Sequence, residues 1–420
     1  MPFPNIEDIV ENIVDEVFLD KLTENGYYDY DSFPKNFVKL ALVSRTFLSS
    51  VRRNLYADLR VEGPERFLLL AGQLRFTPHL ARLVKRASLI SGCSERTHID
   101  GFEAGTPGDG KPRTVSIKAL TWFLDACPQL TQLELFGGDF LYALSSPKMV
   151  KSAARLTDIG LHGCSRCDSP GLAPGGCTAG MRRGWLKHIV TFPRLKELDI
   201  TEYGLDGPRD PTFGLPAASS ACTGLSVSAI NSPASPKSLM TLLKSMPSVK
   251  ELVLEVRPMQ KGALKKCLDI VAPTLTLLTL TDYNSFDEAH PQPWENDTVS
   301  GLHYLKTLAF NGVPVTAPFF NIMPPRLEHL RFAGATLRYL PVPAIAAWLR
   351  RDPFPTLLKK LDIVGDMRAD GIKGGPKASD AQAAELAQLC RGLGIEWNYE
   401  PEPDFEDDAD GLSDAIQFAF

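Results

Sequence analysis

One spacing returns through most of this chain: an apolar residue, two of any kind, an apolar residue, one of any kind, an apolar residue. It reads LTQLEL from Leu130, LTDIGL from Leu156, LKELDI from Leu195 and VKELVL from Val249. It continues as LTLLTL from Leu275, LKTLAF from Leu305, LEHLRF from Leu327 and LKKLDI from Leu358. Weaker copies start at Val84 and Leu225, and GIEWNY at 394–399 reads as a closing strand. Residues two apart on an extended chain share a face. The last two apolar residues of each unit therefore point together into a core, and the first turns the chain into the strand. A single such unit cannot bury that face alone; stacked neighbours can.

The clear starts lie 26, 39, 54, 26, 30, 22 and 31 residues apart, and the copy at Leu225 divides the 54. That scatter surrounds the period of leucine-rich repeats, roughly 20–29 residues. Helical stretches fill the gaps, SIKALTWFLDACP before the first clear strand and KSLMTLLKSMP before the VKELVL strand. They close on CP, FP or MP, and proline biases its predecessor out of helix. Pro/Gly/Ser-rich insertions at 164–184 and 204–237 should emerge as loops. The expected fold is α/β, an irregular leucine-rich-repeat solenoid over residues 61–400. A helical module precedes it at 1–60, and an acidic tail follows at 401–420.

A net charge of −5 and a pI near 5.9 argue against a general nucleic-acid binder. No stretch approaches the length of apolar sequence that a membrane span needs. The start, MPFPNIEDIV, lacks the basic and apolar regions of a secretory signal, and the eight cysteines are irregularly scattered. These features lead us to expect an intracellular chain, cytoplasmic or nuclear, with reduced thiols.

Ahead of the repeats, NIEDIVENIVDEVFL places Ile6, Ile9, Val10, Ile13, Val14 and Val17 on one helical stripe, with Asn5 as a cap. After a tyrosine-rich interruption comes KLALVSRTFLSSVRRNLYADL, in which Ser44 offers an N-cap and Val43, Phe47, Val51 and Leu55 recur every four residues. Phe3-Pro4, the helical I-x-x-[IV] hydrophobics and the LALVSRTFLSSVRRNLYADL stretch together resemble an F-box domain of the fungal type, which carries irregular leucine-rich repeats behind it. The resemblance implies that Pro4, Ile9, Ile13, Leu40, Val43, Phe47 and Leu55 dock the Skp adaptor of a cullin–RING ubiquitin ligase. It also implies that the repeats hold a protein substrate and that the chain catalyses nothing itself. The alternative is a repeat scaffold with no ligase link, its front helices serving only to cap the first coil.

Several motifs mimic chemistry. AGTPGDGKPRT holds Gly105, Gly110 and Lys111 at phosphate-loop spacing, but Pro112 replaces the magnesium-binding hydroxyl. Cys164, Cys167, Cys177 and His188 suggest a zinc cluster, yet Cys164 also falls at the ladder position of its repeat, where it would simply pack. Glu406, Asp408, Asp410 and Gly411 imitate a calcium loop whose twelfth position is Gln417. The sequence holds no nucleophile elbow, zincin motif or dinucleotide fingerprint. We therefore expect no cofactor and no metal.

The residues flanking the second and third apolar positions should line the inner surface of the solenoid. They read Gln132, Glu134, Phe136; Asp158, Gly160, His162; Glu197, Asp199, Thr201; and Glu251, Val253, Glu255. Later units supply Leu277, Thr279, Thr281; Thr307, Ala309, Asn311; His329, Arg331, Ala333; and Lys360, Asp362, Val364. The early half is acidic and the late half neutral to basic. Glu134, Phe136, Asp158, His162, Glu197, Asp199, Glu251, Glu255 and Arg331 are the candidate substrate contacts, suited to a partner with a basic segment.

Overall fold

The computed structural model describes residues 44–90, 115–163, 183–201, 210–228, 236–255, 262–282, 296–313, 315, 317–333, 342–351, 357–365 and 378–400. Among them, β-strands form at β1 (Asp58–Glu62), β2 (Arg86–Ile90), β3 (Gln132–Phe136), β4 (Asp158–His162), β5 (Glu197–Thr201) and β6 (Gly224–Ser228). The series continues with β7 (Glu251–Glu255), β8 (Leu277–Thr281), β9 (Thr307–Asn311), β10 (His329–Ala333), β11 (Lys360–Val364) and β12 (Glu396–Glu400). All twelve pair in parallel and in chain order, each with the next. The result is a mixed α/β solenoid with one continuous sheet as its inner wall.

The spacing read from sequence explains the register. Leu133 and Leu135 of β3 stand beside Ile159 and Leu161 of β4, and these beside Leu198 and Ile200 of β5. All six are essentially buried. The leading apolar residue closes a turn that Pro primes by fixing its own φ. In Cys127-Pro-Gln-Leu130, Phe192-Pro-Arg-Leu195 and Met246-Pro-Ser-Val249, the last N–H donates to the first carbonyl at 3.2, 3.2 and 3.3 Å. The pairing starts one residue before each strand: Lys196 N–H donates to Thr157 O at 2.7 Å, and Lys250 N–H to Thr223 O at 2.7 Å.

Helices pack on the other side of the sheet. They are α1 (Arg45–Ala57), α2 (Pro64–Phe76), α3 (Pro78–Ala81), α4 (Ile117–Ala126), α5 (Gly138–Leu144), α6 (Met149–Ser152) and α7 (Leu186–Ile189), then α8 (Pro236–Ser245), α9 (Ala263–Val271), α10 (Val342–Leu349) and α11 (Asp380–Gly392). Ser116 caps α4, its hydroxyl accepting from Ala119 N–H at 3.1 Å. Ser379 and Gln382 form a capping box on α11. Toward the C-terminal end, Phe310, Phe319, Phe320, Phe332 and Trp348 join into one aromatic core through edge-on, stacked and tilted ring contacts. Among the described residues no helix is long and apolar enough to cross a membrane.

Two boundaries differ from the sequence reading. The helix expected through Leu59 ends at Ala57, and Asp58 opens the first strand, whose Leu59 and Val61 are buried. The weak copy placed at Leu225 begins at Cys222: that thiol occupies the leading position, with Leu225 and Val227 pointing inward after it. Burial pushes the Cys222 thiol up to about 12.

Candidate functional site

Three residues of every strand face away from the helices, and in-register pairing aligns them into ladders across the sheet. Between β3 and β7 the ladders enclose a groove of about 400 Å³, lined among others by Glu134, Asp158, Glu197, Asp199 and Glu251. Among the described residues, no lysine or arginine lines it. Glu134 accepts from Ser88 Oγ at 2.8 Å, Asp199 from Thr201 Oγ1 at 3.2 Å, and Asp158 from Thr157 Oγ1. These are neutral donors, and the charge of Lys196 offsets only part of what its neighbours do to Glu197.

Two glycines shape the groove. A Cβ at Gly160 would lie 2.7 Å from His162 Nε2 and 3.3 Å from Glu134 Cγ. One at Gly224 would lie 3.2 Å from Glu197 Cγ. The missing side chains let His162 and Glu197 lean over the strands. His162 then stacks on Phe136, ring centroids 4.4 Å apart and 15° from parallel. The stack forms a flat aromatic rim beside the carboxylates, a surface on which a cation is favoured.

Crowding shifts one carboxylate. Burial raises the Glu197 pKa, and the charge of Asp158, a hydrogen bond shared with it and the charge of Glu251 add to the rise. Ionised Glu197 is thus less favourable folded than unfolded, and its contribution to stability is lost as pH rises through the folded-state pKa. Glu197→Gln is expected to raise the thermal midpoint at neutral pH. The gain should vanish once pH falls below the ordinary glutamate range, where the native side chain is itself protonated. Thermal melts at both pH values check this; an equal gain at both would exclude the repulsion.

The structure sorts the candidate contacts. Glu134, Asp158, His162, Glu197, Asp199 and Glu251 line one stretch of the concave face, and Phe136 stacks on His162 at its edge. Glu255 does not join them: it is buried and accepts from Ser228 Oγ at 2.7 Å. Arg331 stands apart on β10, exposed. The late half is less basic than the sequence suggested, because buried Asp362 engages both His329 Nε2 at 2.7 Å and Lys360 Nζ at 3.3 Å. Sequence reading missed the concave residues of β1 and β2, where Arg60 pairs with Glu62 at 3.0 Å and Arg86 with Asp58 at 3.5 Å. A Tyr56-x-x-Leu59-x-Val61 spacing was the available signal.

Of the adaptor-contact candidates, Pro4, Ile9, Ile13, Leu40 and Val43 lie outside the described residues. Phe47 and Leu55 are half-buried on α1, while Val51 between them is 1% exposed. The phosphate-loop and calcium-loop mimics, Cys164, Cys167 and Cys177 also lie outside the described residues. Among those described, no three His, Cys, Asp or Glu side chains are placed to hold a metal ion. Burial pushes the thiols of Cys127 up to about 12 and of Cys267 and Cys390 up to about 11, which makes poor nucleophiles of them.

No family model matches the chain, and no curated protein matches it. Among solved structures, a complex of Rad7 and Elc1 from yeast is similar over 92% of this chain and 91% of that chain, with a TM-score of 0.39 and 14% sequence identity.

Proposed function

We propose that the chain is a substrate-recognition subunit of a Skp–cullin–F-box ubiquitin ligase, with leucine-rich repeats as its binding wall. The groove carries this reading: five carboxylates and a stacked aromatic rim on an open concave face, with no lysine or arginine among its described lining residues. Such a surface suits a protein segment rich in lysine and arginine, drawn in by charge and held by cation–π contact. The chain's part in ubiquitin transfer is then proximity, holding a target's lysines near a ubiquitin-loaded enzyme supplied by partners.

The ligase half of the proposal draws on the F-box resemblance of residues 39–59. The half-exposed Phe47 and Leu55 at either end of the α1 stripe support it, since they leave apolar surface for an adaptor. The burial of Val51 favours a second role for the same helix, that of lid on the first coil. The two are compatible on different faces.

Phe47→Asp/Leu55→Asp in the full chain is expected to abolish binding to purified Skp adaptor while leaving the far-ultraviolet circular dichroism unchanged. A native chain that never binds the adaptor would move the reading to a scaffold without a ligase link; binding that survives the double variant would overturn the placement of the contact at Phe47 and Leu55.

A further inference from the structure

Among the described residues, four of the eight exposed large apolar side chains gather on the outside of the first coils: Leu68 at 51%, Leu69 at 76%, Phe76 at 83% and Trp122 at 43%. Helix α2 buries Phe67, Ala71 and Leu74 against the sheet, so its apolar outer face is surplus to the fold. Leu69 and Phe76 stand two turns apart on one stripe. Leu68, Gly72 and Arg75 form the next stripe, which faces α4. The two helices meet beneath it through Phe67 and Phe123, edge-on at 5.4 Å.

The patch is basic as well as apolar. The Arg75 guanidinium lies 4.9 Å and the Lys118 ammonium 4.7 Å from the centre of the Trp122 ring. Arg66 projects from the same helix with its side chain 62% exposed, 3.8 Å from Glu62. The acids of the two helices are Glu65 in the first turn of α2 and Asp125 in the last turn of α4. Residues 44–90 hold nine Lys and Arg against three Asp and Glu, in a chain of net charge −5. The patch also has relief. A Cβ at Gly72 would meet nothing within 4 Å, which leaves a dent between Leu68 and Leu69 on one side and Arg75 and Phe76 on the other. A flat lipid surface has no use for a dent, whereas a side chain from a facing helix fits one.

We infer that the α2–α4 face docks an acidic amphipathic helix of a partner protein. Its apolar stripe would lie on Leu69, Phe76 and Trp122, with one side chain in the Gly72 dent and carboxylates flanking Arg66, Arg75 and Lys118. This surface is distinct from the concave groove and does not depend on the ligase reading.

The test uses the full chain and two fluorescent peptides of about five helical turns, one Glu/Leu-rich and amphipathic, the other with every Glu replaced by Lys. Fluorescence anisotropy is expected to show salt-sensitive binding of the acidic peptide at least tenfold tighter than its counterpart. Leu69→Asp/Phe76→Asp, confined to exposed positions, should weaken it by tenfold or more with an unchanged thermal midpoint. Arg75→Glu/Lys118→Glu should reverse the preference between peptides. Equal binding of both peptides, or none, overturns the inference. So does binding to phosphatidylserine vesicles that Leu69→Asp/Phe76→Asp abolishes while peptide binding persists, which would make the patch a membrane contact. Concentration-dependent dimerisation lost in that variant would make the occupant a second copy and overturn it equally.

Discussion

Phe310→Ala is expected to destabilise the C-terminal coils by about 3–5 kcal/mol, the usual cost of emptying an aromatic core position. Phe310 is fully buried on β9. It meets Phe319 edge-on at 5.2 Å and stacks on Phe332 of β10 at 5.7 Å. Phe320 links this group to Trp348 of α10 at 5.3 Å. Alanine would remove the ring at the junction, and neighbours locked by one another's edges can collapse into the void only partly. In a solenoid each coil is stabilised by its immediate neighbours, so the loss stays local. The unfolding transition should therefore split: residues near 296–365 open first in urea, and the main transition keeps the N-terminal coils. Hydrogen exchange resolved along the chain checks this, and basic-peptide binding by the β3–β7 groove should survive the first step. A single transition with an unchanged denaturant slope and a cost below about 1 kcal/mol would mean that the aromatic group does not hold these coils together.

The sheet was legible in sequence because its periodicity is two and its faces differ sharply. Eight leading apolar residues marked eight strands. The sixth strand was set three residues late because Cys222, not leucine, fills its leading place. The first strand was hidden by its own helix, since the four-residue recurrence of Phe47, Val51 and Leu55 runs on smoothly to Leu59. The Tyr56-x-x-Leu59-x-Val61 spacing is a faint local mark of the exchange of period at Asp58; the pairing of Leu59 with Ala87 on β2 decides it. The acidity of the inner face could be read, because alternate residues of each strand must face the same way. What each charge does could not. Glu255 is spent on Ser228, 27 residues away, and Asp362 captures His329, 33 residues away, together with Lys360 two residues before it. The outer face of α2 was equally hidden: a helix apolar on both sides reads as core, and only the sheet shows which side is left over.

Neutralising the groove is the second change with a large expected effect. Glu134→Gln, Asp158→Asn, Glu197→Gln, Asp199→Asn and Glu251→Gln together keep the shape of every side chain and remove the charge. The groove crosses five strands, four spacings of about 4.8 Å, so it spans roughly 19 Å and accommodates about six residues of extended peptide. Contacts of this kind are worth about 0.2–1 kcal/mol each. Five acting on one ligand give about 3 kcal/mol, or roughly a hundredfold in affinity. A fluorescent Lys/Arg hexapeptide titrated into the native and neutralised chains measures the difference. The native affinity should fall steeply as salt shortens the Debye length below about 10 Å, while the residual affinity of the variant should not. Arg331→Glu, on the same face but outside the groove, should leave the hexapeptide affinity within about threefold, because screening confines its field. The native chain should be slightly less stable than the variant, since mutual repulsion in the groove is relieved. A neutralised groove that binds the hexapeptide as tightly as the native one, with the same salt dependence, would show that the inner wall carries its acids for solubility alone. Recognition would then have to be sought elsewhere on the solenoid.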